Sequence, residues 1–257
     1  MLKSNTIDLA IINSIDNEFN KDIYKALKPG AYLFSIDKPH KAHNSVCNIE
    51  DIGFEIKDSI SYFFAENEDI KQDVICLAMK PLSEKNFAEN VMKWGTGGLN
   101  IDKCRIGYEK ISVHNAPKGT FAGGEPERGS ETIYREHEGR YPANFIISED
   151  VAPVLDKQSG YSKSSPFKAK GTIEAINSNL GIKNRQGSNH NDEGGASRFF
   201  YNAKSYKDLL KYIIILGLPP KESKVLFIGF DNADEIIEEI NKESNVKYEA
   251  ITIGGSK

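Results

Sequence analysis

Apolar and polar positions divide the 257-residue chain into two patterned regions separated by a long unpatterned one. Thr6 to Ile12 is a short apolar run of the kind a buried parallel strand shows. From Asn17 to Lys28, Phe19, Ile23, Ala26 and Leu27 recur at helical spacing, and Pro29-Gly30 is expected to stop that helix. Ala31 to Ile36 predicts a second strand and His40 to Ile52 a helix ended by Gly53. Phe54 to Phe64 and Asp73 to Lys80 predict two further strands, the last closed by Pro81. After about Tyr206 the pattern returns: a helix at Lys207 to Leu216, a strand at Lys224 to Phe230, a helix at Asp234 to Glu243 and a strand at Tyr248 to Ile253. Strands alternating with helices predict an α/β fold with a mostly parallel sheet.

Between Lys80 and Tyr206 periodicity fades and Gly, Ser, Asn, Lys and Pro dominate, least structured from Gly171 to Gly195. Such a stretch inside a compact domain is a functional insertion or a disordered one. Composition is otherwise that of a globular protein, 39% hydrophobic and 27% charged. The formal net charge of −4 argues against a generally basic nucleic-acid binder. From residue 155 to 212, however, ten lysines and arginines face five acids, an excess of five positive charges suited to phosphates or to a solvated loop. No apolar run is long enough to span a bilayer and the N-terminus lacks a signal-peptide core, so a cytoplasmic location without membrane association is expected. Cys47, Cys76 and Cys104 are scattered singly, which gives no disulfide framework. His40, His43 and Cys47 lack a fourth nearby ligand, and no metal is expected.

The middle region holds the most distinctive wording. Trp94 is followed by Gly95-Thr96-Gly97-Gly98-Leu99-Asn100-Ile101-Asp102-Lys103-Cys104-Arg105-Ile106-Gly107, with a companion Gly139-Arg140-Tyr141-Pro142-Ala143-Asn144-Phe145-Ile146. Neither reads as an ordinary helix or strand. The glycines permit backbone angles closed to other residues, and Arg105, Arg140 and Asn144 can fork onto phosphates or base edges. A turn-rich surface loop whose polar groups tie the chain down has the same pattern.

These two segments, followed by Ser197-Arg198-Phe199-Phe200-Tyr201-Asn202-Ala203-Lys204, resemble the target-recognition part of phage-type, β-class DNA amino-methyltransferases, which modify adenine N6 or cytosine N4. Asp51 to Asp58 and Ala78-Met79-Lys80-Pro81-Leu82-Ser83 resemble scaffold segments of that family. The resemblance implies a methyltransferase-like sheet in permuted order: a catalytic half at 1–80, a target-recognition insertion at 81–205 and a cofactor half at 206–257. It implies double-stranded DNA as partner, with Arg105, Arg140, Tyr141, Asn144, Arg198 and Lys204 as the contact residues.

The chemical motifs of the family are missing. Where it carries DPPY or NPPY, this chain has Asn13-Ser14-Ile15-Asp16, without the proline-set backbone or the ring that stacks on a flipped base. Where small residues let the backbone approach S-adenosylmethionine, this chain has Phe227, Gly229, Phe230 and Asp231. An HPTVKP-like segment is absent before Lys207. The reading is therefore a non-catalytic homologue that binds or positions DNA beside an active methyltransferase in a heteromer. No cofactor is expected in the isolated chain, and S-adenosylmethionine is expected in the partner. The alternatives are an active methyltransferase using Asn13 and a remodelled loop, and a stand-alone DNA-binding phage-type protein.

Overall fold

A computed structural model describes residues 2–13, 21–114, 134–163, 193–217 and 219–254. The first half runs β1 (Ile7–Asn13), α1 (Lys21–Ala26), β2 (Leu27–Asp37), α2 (Pro39–Ile52), β3 (Glu55–Glu66) and β4 (Asp69–Met79). Next come α3 (Phe87–Trp94), β5 (Ile106–His114), β6 (Tyr134–Arg140), β7 (Phe145–Ser148), α4 (Ala152–Ser159), β8 (Ser162–Lys163), β9 (Glu193–Gly194) and β10 (Tyr201–Ala203). The chain closes with α5 (Tyr206–Leu216), β11 (Glu222–Ile228), α6 (Ala233–Glu243) and β12 (Lys247–Ile253).

Eight strands form one sheet in the order β10-β7-β3-β4-β2-β1-β11-β12. Only β4 opposes its neighbours; all other pairings in this sheet are parallel. The expected α/β class with a mostly parallel sheet is therefore present. One face packs Leu9, Phe34 and Phe227 against Leu209 and Ile213 of α5 and Ile236 and Ile240 of α6. The other packs Ala10, Leu33 and Leu226 against Ile23 of α1 and Ile49 of α2. Residues 81–205 contribute β7 and β10 to this sheet, while β5-β6 and β8-β9 are separate two-stranded ribbons.

Several local expectations are corrected. The first helix ends at Ala26, and β2 begins at Leu27, so Pro29-Gly30 lies inside a strand. Strand pairing absorbs it through a register shift between Ile7 and Leu9 of β1, with Gly30 at φ +78°. The strands read as Phe54–Phe64 and Asp73–Lys80 are longer and form an antiparallel hairpin. Its turn places Asn67 and Glu68 at φ +51° and +68°, the left-handed pair that a two-residue hairpin favours. The supposedly unpatterned middle contains regular elements. Trp94 is the last residue of α3, Arg140 ends β6, and Phe145-Ile146 open β7.

A buried amide explains both the kink in β2 and the Gly-rich loop. α3 is capped by Asn86, whose side chain accepts from Glu89 N, and its one fully buried residue is Asn90. Asn90 Nδ2 donates to the carbonyls of Pro29 and Thr96, both at 2.9 Å, and its Oδ1 accepts from Ser83 N at 3.2 Å. Thr96 Oγ1 donates to Pro29 O at 2.6 Å, and Tyr32 OH donates to Gly97 O at 3.2 Å. A Cβ on Gly30 would lie 2.5 Å from Asn90 Nδ2. The glycine is thus fixed by close approach as well as by backbone angle.

Asn90→Ala removes three hydrogen bonds from a buried site and should cost about 2–4 kcal/mol in urea denaturation. Asn90→Asp, which turns a carboxylate toward two carbonyls, should cost at least as much; equal stability of either variant would contradict this account. Burial pushes the Cys76 thiol up to about 11 and Cys104 up to about 12, while Cys47 is exposed. Alkylation of the folded protein at pH 8 should therefore modify one thiol of three, and mass spectrometry counts them.

Candidate functional site

In an open parallel sheet, ligands enter at the carboxyl ends of the strands where the winding direction reverses. Here β1 leads to β2 on one side, while β11 leads to β12 on the other, so the reversal lies between β1 and β11. Their register pairs Ile12 with Ile228, which places Asn13 beside Gly229-Phe230-Asp231. Ser14, Ile15 and Asp16 lie outside the described residues. Gly229 has φ +76°, and its N–H donates to Ile253 O at 3.1 Å. Phe227 is fully buried and Phe230 is 5% exposed, their rings meeting edge to face at 5.8 Å. Both belong to the core under α5 and α6. Asp231 faces solvent just before α6. Among the described residues, the Asn13 amide and the exposed Asp231 carboxylate stand at the crevice mouth, with the Phe227 and Phe230 rings turned into the core.

The opposite, amino edge of the sheet has a groove of about 610 Å³ lined by Asp8, Lys28, Glu222, Lys224, Asn241 and Tyr248 among others. Asp8 is buried there, receiving Lys28 Nζ at 2.5 Å and Lys224 N at 2.9 Å. Asn241 closes on both backbone polar groups of Tyr248, and Lys224 pairs with Glu249. These polar groups are spent on one another, so the groove has the character of a tied-down strand end.

The candidate nucleic-acid residues separate into three kinds. Arg105 Nε donates to Asp102 Oδ1 at 2.9 Å, and its side chain is 17% exposed. Asn144 Nδ2 donates to Asp58 Oδ1 at 2.7 Å, and Asn144 O accepts from Ser61 N, which ties the entry of β7 to β3. These two side chains hold the chain in place. Tyr141 and Lys204 are exposed, with Lys204 at the carboxyl end of β10.

Arg140 and Arg198 are brought together. Their guanidinium carbons lie 4.7 and 4.1 Å from the centroid of the same ring, Phe199. Arg198 also donates to the carbonyls of Gly194, at 2.6 Å, and Gly195, and to Ser162 Oγ at 3.1 Å. The 3-10 turn Ala196–Phe199 that carries this ring is anchored on α4, where Asp156 accepts from Ser197 N and Ser197 Oγ, both at 2.8 Å. At the base of the β5-β6 hairpin, Gly139 has φ +75°, and a Cβ there would lie 2.5 Å from Gly107 O. The glycines of the two family-like segments therefore face each other, and that close approach positions Arg140.

Phe199, Asp156 and Asn90 were not among the sequence candidates. Asn90 and Asp156 are polar residues among apolar neighbours, and Phe199 is one of three consecutive aromatic residues, so no periodic signal marks them. Among the described residues no group of three side chains is placed to hold a metal ion, and no helix is long and apolar enough to cross a membrane.

No family model matches the chain, and no curated protein matches it. Among solved structures it is similar to M1.HpyAVI, with S-adenosylmethionine bound, at 12% identity over 99% of this chain and 84% of that one, with a TM-score of 0.44. It also matches TTHA0409 of Thermus thermophilus, described provisionally as a DNA modification methylase, at 11% identity over 33% of this chain and 52% of that one, with a TM-score of 0.27.

Gly139→Ala should destabilise the protein by about 1–3 kcal/mol, because it adds a strained φ and a carbonyl clash at once. Gly160→Ala, with φ +70° but open space around its Cβ, should cost less. Urea midpoints of the two variants compared with wild type check the order; the reverse order would show that the Gly139–Gly107 approach does not constrain the hairpin.

Proposed function

We propose that this chain is a non-catalytic, methyltransferase-like subunit that binds or positions double-stranded DNA for an active methyltransferase partner. The observation that carries the reading is the crevice between β1 and β11. S-adenosylmethionine needs a close backbone approach after β11 and an acid directed at the ligand. The residues present do not fit it: Phe227 stands in the strand where the family carries an acid, Phe230 turns its ring inward, and Asp231 points to solvent. Asn13 at the end of β1 is an amide that could accept or donate to an amino group. Alone it supplies neither a stacking ring nor a methyl donor.

The second support is what the chain retains. The segments that resemble the target-recognition region converge, placing Arg140 and Arg198 on Phe199 beside the exposed Tyr141. Arginine forks suit phosphates and guanine edges, and Lys204 suits a phosphate as a single cation. A partner would contribute the cofactor site and the ring that holds the target base.

Calorimetry on the purified chain should give no heat with S-adenosylmethionine, and Phe230→Gly should not restore binding because the strand acid is still missing. Co-expression with the methyltransferase encoded nearest to it, followed by affinity purification through a tag on one partner, should yield a single complex by mass. Methylation by that complex should exceed methylation by the partner alone. Micromolar cofactor binding by the isolated chain, or separate elution with equal methylation, overturns the proposal.

A further inference from the structure

The solvent side of α3 is apolar. With about 3.6 residues per turn, Ala88, Val91 and Met92 share one face of this helix, bordered by Phe87 on one flank and by Glu89 and Lys93 on the other. Phe87, Val91 and Met92 are 50, 41 and 88% exposed, and Ala88, Glu89 and Lys93 are exposed as well. Single exposed apolar residues are ordinary, whereas four neighbouring ones on a helix whose buried residue is Asn90 form a patch of the kind that marks a contact surface. The helix is firmly seated: Asn86 caps it, Asn90 is bound at three points, and Trp94 Nε1 donates to Ser83 Oγ at 2.8 Å. A surface held in place in this way has little freedom left to lose on association. It lies at the amino edge of the sheet, where Asn90 meets Pro29 near the start of β2, whereas the crevice mouth lies at the carboxyl edge.

We infer that two copies of the chain associate through this face, with their α3 helices packed antiparallel about a two-fold axis near Val91. The inference is independent of the DNA reading above. The charged flank selects the occupant. A two-fold axis across the helices brings the same flank of both together, running in opposite directions. With the axis at Val91, positions two residues before and two residues after it lie opposite one another, so Glu89 of each copy faces Lys93 of the other. Parallel packing would instead set the charged flank against the Phe87 flank. Lys93 Nζ also pairs with Glu84 Oε1 at 2.6 Å, and Glu89 Oε1 accepts from Asn86 Nδ2 at 2.8 Å. An ammonium has three donors and a carboxylate several acceptor sites, so each can serve its own chain and the other copy at once. Between the flanks, Val91 meets its counterpart, and Met92, unbranched and adaptable, fills the space beside it. A contact centred on one helix of eight residues is small, below about 1,200 Å², so the dimer is weak and reversible.

The test is sedimentation velocity on the full chain across the micromolar range at low salt. A reversible shift from the mass of one chain to that of two is expected. Met92→Lys should raise the dissociation constant roughly tenfold or more, because it sets a charge where two copies bury apolar surface. Glu89→Lys and Lys93→Glu should each weaken association about fivefold, since both flanking pairs become repulsive. An equimolar mixture of those two variants should associate about as tightly as wild type, because each pair in the mixed dimer again joins opposite charges. Thermal melts of each variant establish that the fold is retained, and Ala88→Lys, on the same face, takes the place of Met92→Lys if that variant fails to fold. A single-chain mass at every concentration overturns the inference and marks the face as covered by another segment of this chain or kept for a different protein. A dimer indifferent to the lysine substitution overturns it as well, as does a mixture that stays as weak as its components.

Discussion

The buried side-chain amide of Asn90 is the constraint on which the join between the sheet and its insertion depends. A helix whose only fully buried residue is polar has no apolar reason to dock, and α3 docks because each polar atom of that amide has a partner. The Pro29 carbonyl is available to it because Gly30 adopts a left-handed angle that kinks β2. The Thr96 carbonyl is available because the Gly95-Thr96-Gly97 turn folds back over the same point. Local backbone irregularity, which usually weakens a strand, is here the condition for a satisfied buried network. Everything that follows α3 in the chain starts from that fixed point.

The sheet was legible in the sequence where side-chain burial repeats. β1, α2, α5, β11, α6 and β12 lie within two residues of their expected bounds, because each packs apolar residues against one of the two cores. What was not legible depended on contacts between residues distant in sequence. Pro29-Gly30 has the local chemistry of a helix stop, and only the pairing of Leu27 and Tyr32 with β1 on either side, the Gly30 N–H donated to Lys80 O and the Asn90 bond to Pro29 O make it part of a strand. The hairpin turn at Asn67-Glu68 carries no glycine to announce it. α3 was hidden because its exposed side carries Phe87, Val91 and Met92 while its buried side carries Asn90, the reverse of the usual amphipathic order.

The candidate site shows the same division at the level of single residues. Gly107, Gly139, Arg105 and Asn144 stand in segments chosen for their chemistry, yet each has a local geometric reason to be there. Arg140 and Arg198 differ in converging on one ring from the middle and the end of the insertion, which no spacing in the sequence could forecast. A motif can persist because it folds a loop, and residue type alone does not separate that cause from contact with a ligand. The crevice between β1 and β11 makes the complementary point. There β11 is a regular strand whose Phe227 contributes to the core rather than to the crevice.

The pairing of β1 with β11 joins residues far apart in the sequence: Asp8 accepts from Lys224 N, 216 positions away. This seam lies inside the sheet, between elements that each assemble from nearby sequence. Closing so long a loop comes late in folding, after hairpins such as β3-β4 have formed. On the ribosome, β1 therefore emerges with one edge bare until β11, whose Lys224 lies 216 positions after Asp8, has been made. An apolar strand with an open edge is the kind of segment that other nascent chains and chaperones capture. Because the strand order seats β1 beside a strand made much later, this protein's vulnerability is set by translation time as much as by the stability of its finished core.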